Sequence, residues 1–182
     1  MTGNIEAEAD AEAEAEAEED TEADSQCRGK IAVAIPALME YNITKGGSAV
    51  GLTVYVCLDD RDGMSFNGRR QSRDSRVFED IRRELQGPLL IDPFSESLCR
   101  RAEIPYQVLE GPLPKEGQFF LEVREPREAL EADRIVIYRW GRHYPADVRW
   151  TLDLEAAGFV PLEQSEFPGS SHESIRREVY VR

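Results

Sequence analysis

The sequence predicts an α/β domain, a mostly parallel sheet with flanking helices that closes with an antiparallel C-terminal hairpin. Three observations predict it. Short β-branched and aromatic runs alternate with helix-period segments through the first part of the chain's apolar region, as in strand–crossover–strand units. After DRIVIYRW only loops separate the remaining runs, which favours antiparallel return strands. Finally, the strong acidity is confined to one end, so the rest is a near-neutral stretch of single-domain size.

That acidity comes first in the chain. The formal net charge is -14. Residues 1–26, with the run EAEADAEAEAEAEED, hold 11 of the 36 acids and no Lys or Arg, leaving 25 acids against 22 bases from Cys27 onward. Alternating Ala and Glu builds no apolar face, and like charges at i,i+4 oppose a helix. Residues 1–27 are therefore expected to be a disordered tail, a solubilising extension or an interaction segment, and 28–182 a single domain. The tail lacks the basic and apolar regions of a signal peptide. No apolar run is long enough to span a bilayer, so no membrane partner is expected. Cys27, Cys57 and Cys99 are odd in number with no C-x-x-C spacing. This fits a reducing cytoplasm, with Cys57 a small strand residue. With His143 and His172 the only histidines, neither a zinc site nor any other metal is expected.

Along the chain, KIAVAIPALMEYNIT (30–44) reads as a strand or a short helix before the breaker KGGS. GLTVYVCLDD (51–60) reads as a buried strand. RDGMSFNG (61–68) carries turn chemistry twice, at Asp62-Gly63 and Asn67-Gly68. Val77, Phe78, Ile81 and Leu85 recur at helical spacing, with Ser72 or Asp74 as the cap and Gly87-Pro88 as the stop. PLLI (88–91) is a strand, PFSESLCRRA (93–102) a helix with Leu98 inward, and IPYQVLE and QFFLEV two more strands. PREALEA is a helical turn opened by Pro126. DRIVIYRW is a long strand, followed by GRHYPAD, VRWTLDL, GFVPLEQSEF and the closing strand REVYVR.

Three clusters carry candidate chemistry. Arg69, Arg70, Arg73 and Arg76 flank a helix start, where free N–H groups and the macrodipole already favour an anion. They hold a phosphate or carboxylate ligand, or else pair with Glu79, Asp80 or the Asp59-Asp60 pair. YRWGRHYPAD (138–147) places Arg139 and His143 after a strand, in a ligand loop or an ordinary hairpin. FPGSSHES (167–174) is a polar loop, or one in which Ser170 and Ser171 offer N–H groups to an oxyanion beside His172. A Ser-His-Asp hydrolase is not expected, because no G-x-S-x-G elbow is present.

The order of elements resembles dihydrofolate reductase. LTVYVCLDDRDGMSFNG is followed by Asp74-Ser-Arg-Val-Phe78, the family's D-x-x-x-F step, and ALEADRIVIYRWGRHYPADVRWTLDLEAAGFVPLEQSEF resembles its helix, strand, loop and closing hairpin. The resemblance implies a dihydrofolate reductase-like fold over 51–182. In it Asp74 contacts a ring, Phe78 packs on it, and Arg69, Arg70 and Arg73 hold the anionic end. The sequence departs from the family where NADPH would sit. Asp92-Pro93-Phe94-Ser95 replaces a basic helix start, and Glu122-Val123-Arg124 replaces a double glycine. Carboxylates and side chains then meet the pyrophosphate, so no cofactor is expected. A second resemblance, through RRQSRD, Y-R-W-x-R-x-Y-P-A-D and F-P-G-S-S-H-E, is to small bacterial proteins commonly labelled ribonuclease Z. True enzymes of that name are metal hydrolases, and two histidines do not supply such a site.

The first functional expectation is thus a small anionic partner, a nucleotide or pterin-like ligand that is bound or turned over. A second is RNA cleavage without metal by His143, His172 and Arg139, which requires both imidazoles to face one phosphate. A third is a non-catalytic interaction protein that works through its tail.

Overall fold

The computed structural model describes residues 51–182. The tail expected over 1–27 and the apolar run 30–44 lie outside these residues.

Strand β1 (Leu52–Leu58) shows why a sheet forms here. Its side chains alternate, as a strand's must. Leu52, Val54, Val56 and Leu58 enter one core, and Tyr55 and Cys57 face the other. With both faces covered, the strand reads as a continuous apolar run. β1 lies between two parallel neighbours, β6 (Gly117–Leu121) and β7 (Arg134–Arg139), with Val54 opposite Phe119 on one side and Ile135 on the other. β4 (Leu89–Ile91) is parallel to β6, and β5 (Tyr106–Val108) is parallel to β4. β10 (Ile175–Val181) returns antiparallel against β7, and β9 (Val160–Phe167) pairs antiparallel with β10 at the edge. The order β5-β4-β6-β1-β7-β10-β9 is a mixed, mostly parallel sheet with an antiparallel C-terminal pair, the class the sequence predicts.

The turn-rich stretch after β1 holds more structure than its composition suggests. β2 (Gly63–Phe66), β3 (Arg69–Arg70) and β8 (Val148–Arg149) form a small second sheet in the order β3-β2-β8. Asn67 and Gly68 both take positive φ, 50° and 67°, and join Phe66 to its partner Arg69. This is the two-residue hairpin loop that Asn-Gly favours.

Helix α1 (Ser75–Glu84) buries Val77, Phe78 and Ile81 against the sheet, worth about 1.5–3 kcal/mol for each side chain. Asp74 is its N-cap, accepting the Arg76 N–H at 2.9 Å. The helix stops at Glu84, one residue short of the apolar series, because Leu85 turns extended. Its last turn is tied down by ion pairs. Arg134 bonds Glu84 at 2.9 Å, and Arg177 reaches both Glu84 and Asp80. The run 93–102 divides into a 3-10 turn (Pro93–Ser95) and helix α2 (Glu96–Arg101), with Leu98 buried. Residues Pro126–Glu131 are also a 3-10 turn. Of VRWTLDL only Val148–Arg149 is strand, although Trp150 and Leu154 are buried in the core. Among the described residues no helix is long and apolar enough to cross a membrane.

Candidate functional site

The parallel strands end on one side with Asp59 after β1, Asp92 after β4, Glu122 after β6 and Trp140 after β7. Ligands of open α/β sheets bind beyond these carboxyl ends. Here a cleft is lined by Cys57, Arg70, Gln71, Ser72, Arg73, Phe78, Glu122 and Trp140. It encloses about 20 Å³, room for a single water.

Asp74 stands behind this cleft rather than in it. Its side chain is fully buried, and its two oxygens are taken up by the 167–174 loop. Oδ1 accepts the Ser170 N–H at 2.8 Å and its hydroxyl at 2.9 Å, besides the Arg76 N–H. Oδ2 accepts the Ser171 N–H at 2.8 Å, the His172 N–H at 3.2 Å and the Ser171 hydroxyl at 3.0 Å. Oδ2 also lies 3.0 Å from His172 Nδ1. Burial alone would raise this carboxyl. The Ser170 and Ser171 N–H groups, the His172 ring and the Arg76 N–H outweigh it and hold the group well below the usual carboxylate range. Gly169 makes the close approach feasible, since a Cβ there would lie 2.6 Å from Asp74 Oδ2.

Two expectations are corrected here. Asp74 does not reach a ring in the cleft, because every acceptor direction is already in use. Ser170 and Ser171 do present N–H groups to an anion, but that anion is the Asp74 carboxylate.

His172 is the pivot. Since an ionised carboxylate only accepts, Nδ1 donates to Asp74. Nε2 faces the other way, toward the Ser72 hydroxyl at 3.1 Å and the Tyr144 hydroxyl at 3.0 Å. The ring lies flat on Trp140, with centroids 4.7 Å apart and planes at 18°. A Ser–His–Asp chain is therefore assembled without a nucleophile elbow. Its parts come from the segment before α1 and from the loop before β10. The sequence signal lies in Ser72, read only as a helix cap, and in Asp74, read as a cap and as the contact to a ligand ring.

His143 is not part of this arrangement. It is half-exposed, and its Nδ1 is 3.4 Å from Asp59 Oδ2, while His172 is buried on Asp74. The two histidines take different carboxylates, and the paired imidazoles that metal-free RNA cleavage requires are not formed. Asp59 is a buried organiser of the loops. It accepts N–H groups from Gly63 at 2.7 Å, Arg61 at 2.8 Å and Tyr144 at 3.0 Å, and the Gln71 amide at 3.2 Å. Burial would raise its carboxyl too, but these bonds, led by those of Tyr144 and Gly63, lower it.

The arginines divide. Arg70 is committed to Glu122 at 2.8 Å and lies over the Phe94 ring, a partner outside those expected. Arg139 is pinned by Glu178 and Asp62, which makes it a brace between β7, β10 and the β1–β2 turn. Arg76 pairs with Glu79 at 2.6 Å. Arg69 and Arg73 are exposed, and of these two Arg73 lines the cleft. Glu122 also accepts the Ser95 hydroxyl at 2.6 Å. Burial raises its carboxyl, with Ser95 and Arg70 opposing. Phe78 meets Phe120 edge-on at 5.2 Å. Burial first, then the Glu122 and Asp74 carboxylates, push the Cys57 thiol up, away from the reactive thiolate. Among the described residues no group of three or more His, Cys, Asp and Glu side chains is placed to hold a metal ion.

Comparison with solved structures finds the dihydrofolate reductase of Enterococcus faecalis, complexed with NADP(H) and RAB-propyl. It is similar at a TM-score of 0.48 and 10% identity, over 72% of this chain and 95% of that one. That likeness concerns fold alone and says nothing of what this chain binds. No family model and no curated protein matches the chain, so the resemblance to proteins labelled ribonuclease Z finds no support.

Proposed function

We propose that the chain binds a small anionic ligand with a planar ring, nucleotide- or pterin-like, in the cleft at the carboxyl ends of β1, β6 and β7. One observation carries this reading. Aromatic side chains and convergent polar groups line a single cleft at the place where α/β sheets take ligands. Phe78 and Trp140 supply the apolar walls, and Glu122, in the position first assigned to Asp74, faces the ring's N–H groups. Arg73 takes the anionic end, and exposed Arg69 adds longer-range attraction.

NADPH is not the ligand on this reading. Asp92 and Glu122 already hold Arg124 and Arg70 in ion pairs, so neither arginine is left to take a pyrophosphate. The test is calorimetry with nucleoside monophosphates, folate and NADPH. A nucleotide or folate is expected to bind and NADPH is not. Arg73→Ala should weaken binding about 10- to 100-fold, the value of one charge-assisted contact, with an unchanged melting midpoint. If Arg73→Ala binds as well as the parent, or if NADPH alone binds, the reading is wrong.

A further inference from the structure

We propose that Ser72 is a nucleophile, activated by His172 and Asp74, and that the cleft hydrolyses a small carboxylic ester bearing an anionic group. The inference rests on the cleft being a ligand site and assigns it a reaction.

The geometry begins with the backbone. Asp74 is extended, with φ -146° and ψ 129°, and it and Ser72 reach toward the same imidazole, one at each ring nitrogen. The distances are 3.1 Å from Ser72 Oγ to Nε2 and 3.0 Å from Nδ1 to Asp74 Oδ2. These are the contacts a general base and its orienting acid make with a nucleophile. Asp74 faces Nδ1, so Nε2 is the nitrogen turned toward the hydroxyls of Ser72 and Tyr144, and of these two Ser72 lines the cleft. The Trp140 stack and the Tyr144 hydroxyl fix the ring's tilt. Ser72 lines the cleft, whereas His172 and Asp74 lie buried behind it, so the order from substrate inward is nucleophile, base, acid. A purely structural hydroxyl at this position would not need to be the member that faces the cleft.

The reaction balances as follows. Ser72 Oγ adds to the ester carbonyl carbon while its proton passes to His172 Nε2. The tetrahedral oxyanion, beside the Arg73 cation, collapses. The bond to the alcohol oxygen breaks, and that oxygen takes the proton from Nε2. Water then attacks the acyl-Ser72 ester, giving its proton to Nε2 and from there to Ser72 Oγ, and the carboxylic acid leaves.

The full-length protein is incubated with an alkyl fluorophosphonate, which phosphonylates activated serines, and read by intact mass and peptide mapping. One adduct per chain at Ser72 is expected, absent in heat-unfolded protein and in Ser72→Ala, a variant that removes only a half-buried hydroxyl. His172→Gln should label about 100-fold more slowly, the scale of a lost general base, and circular dichroism on the same sample confirms its fold. 4-Nitrophenyl acetate should give a burst of one equivalent that Ser72→Ala abolishes. Equal labelling of folded His172→Gln and parent, or an unmodified Ser72 in the parent, overturns the nucleophile. The calorimetry above separates the two ideas. An unlabelled Ser72 with intact ligand binding sinks only the reaction, while a labelled Ser72 with no nucleotide or folate bound sinks the ligand class.

Discussion

Asp74→Asn removes the charge but keeps the cap, because Asn is as good an N-cap residue as Asp. Its amide oxygen retains the Oδ1 bonds from Arg76 and Ser170. The damage falls on Oδ2, which now becomes an NH2 group facing donors. The Ser171 hydroxyl retains the Arg73 carbonyl at 2.7 Å, and the imidazole shifts its proton to Nε2. The N–H groups of Ser171 and His172, at 2.8 and 3.2 Å from Oδ2, have no such escape. An unsatisfied donor costs about 1–3 kcal/mol, so the pair predicts a loss of about 2–4 kcal/mol after partial relaxation. A domain of this size would then melt about 6–15 °C lower. The loss should also depend on pH. The Asp74 carboxyl is depressed in the folded state, so its stabilisation is fully present above the ordinary Asp range. It fades as pH falls from about 4 toward the folded value. Denaturant melts of both proteins from neutral pH downward should therefore converge in acid. A variant within about 0.5 kcal/mol of the parent at neutral pH, or a gap indifferent to pH, would falsify the account of Asp74 as the loop's internal anion.

Two further substitutions probe the surroundings. Arg70→Ala strands Glu122 in a buried position and should cost about 3–5 kcal/mol near neutral pH. That deficit shrinks as pH falls, because the Glu122 carboxyl, already raised by burial, protonates once its partner is gone. Chemical denaturation at several pH values reads this, and a constant deficit counts against it. Gly169→Ala pushes a Cβ to 2.6 Å from Asp74 Oδ2 and 2.7 Å from the His172 carbonyl oxygen. The expected loss is about 1–3 kcal/mol of stability, with fluorophosphonate labelling falling well below the melting midpoint. Unchanged labelling would mean that the turn's position does not matter to Ser72.

The sheet was legible because burial and period 2 speak through each residue separately. β1 and β7 are apolar on both faces, and their runs declare it. The small sheet was not, since Gly63–Phe66 pairs with two-residue strands that leave no periodicity, and only the turn residues around it carry a signal. In the site, the residue types were visible and their partners were not. The arginine cluster was weighed against neighbouring acids, whereas Arg70 pairs with Glu122, which reaches it only through the β6 position in the sheet. The sequence reads the Gly-Ser-Ser turn as a polar loop or as an anion-binding shape. Its anion turned out to be a side chain of the same protein.

That internal anion explains how a site can arise without a motif. β10 follows the 167–174 loop and is fixed against β7, with Arg176 opposite Arg139 and Val179 opposite Val136. β7 is fixed against β1, and the chain leaving β1 turns through the small sheet into Asp74. The loop and the helix cap thus meet because the sheet order places them together. The capping carboxylate, with donors to spare around it, captures Ser170, Ser171 and His172 at once. Once His172 is held by Nδ1, its other nitrogen faces the hydroxyls of Ser72 and Tyr144, and of these two Ser72 lines the cleft. A helix cap, a tight glycine turn and an antiparallel strand pairing are each ordinary structural devices. Their intersection orients an imidazole behind a hydroxyl, which is the arrangement on which nucleophilic catalysis depends.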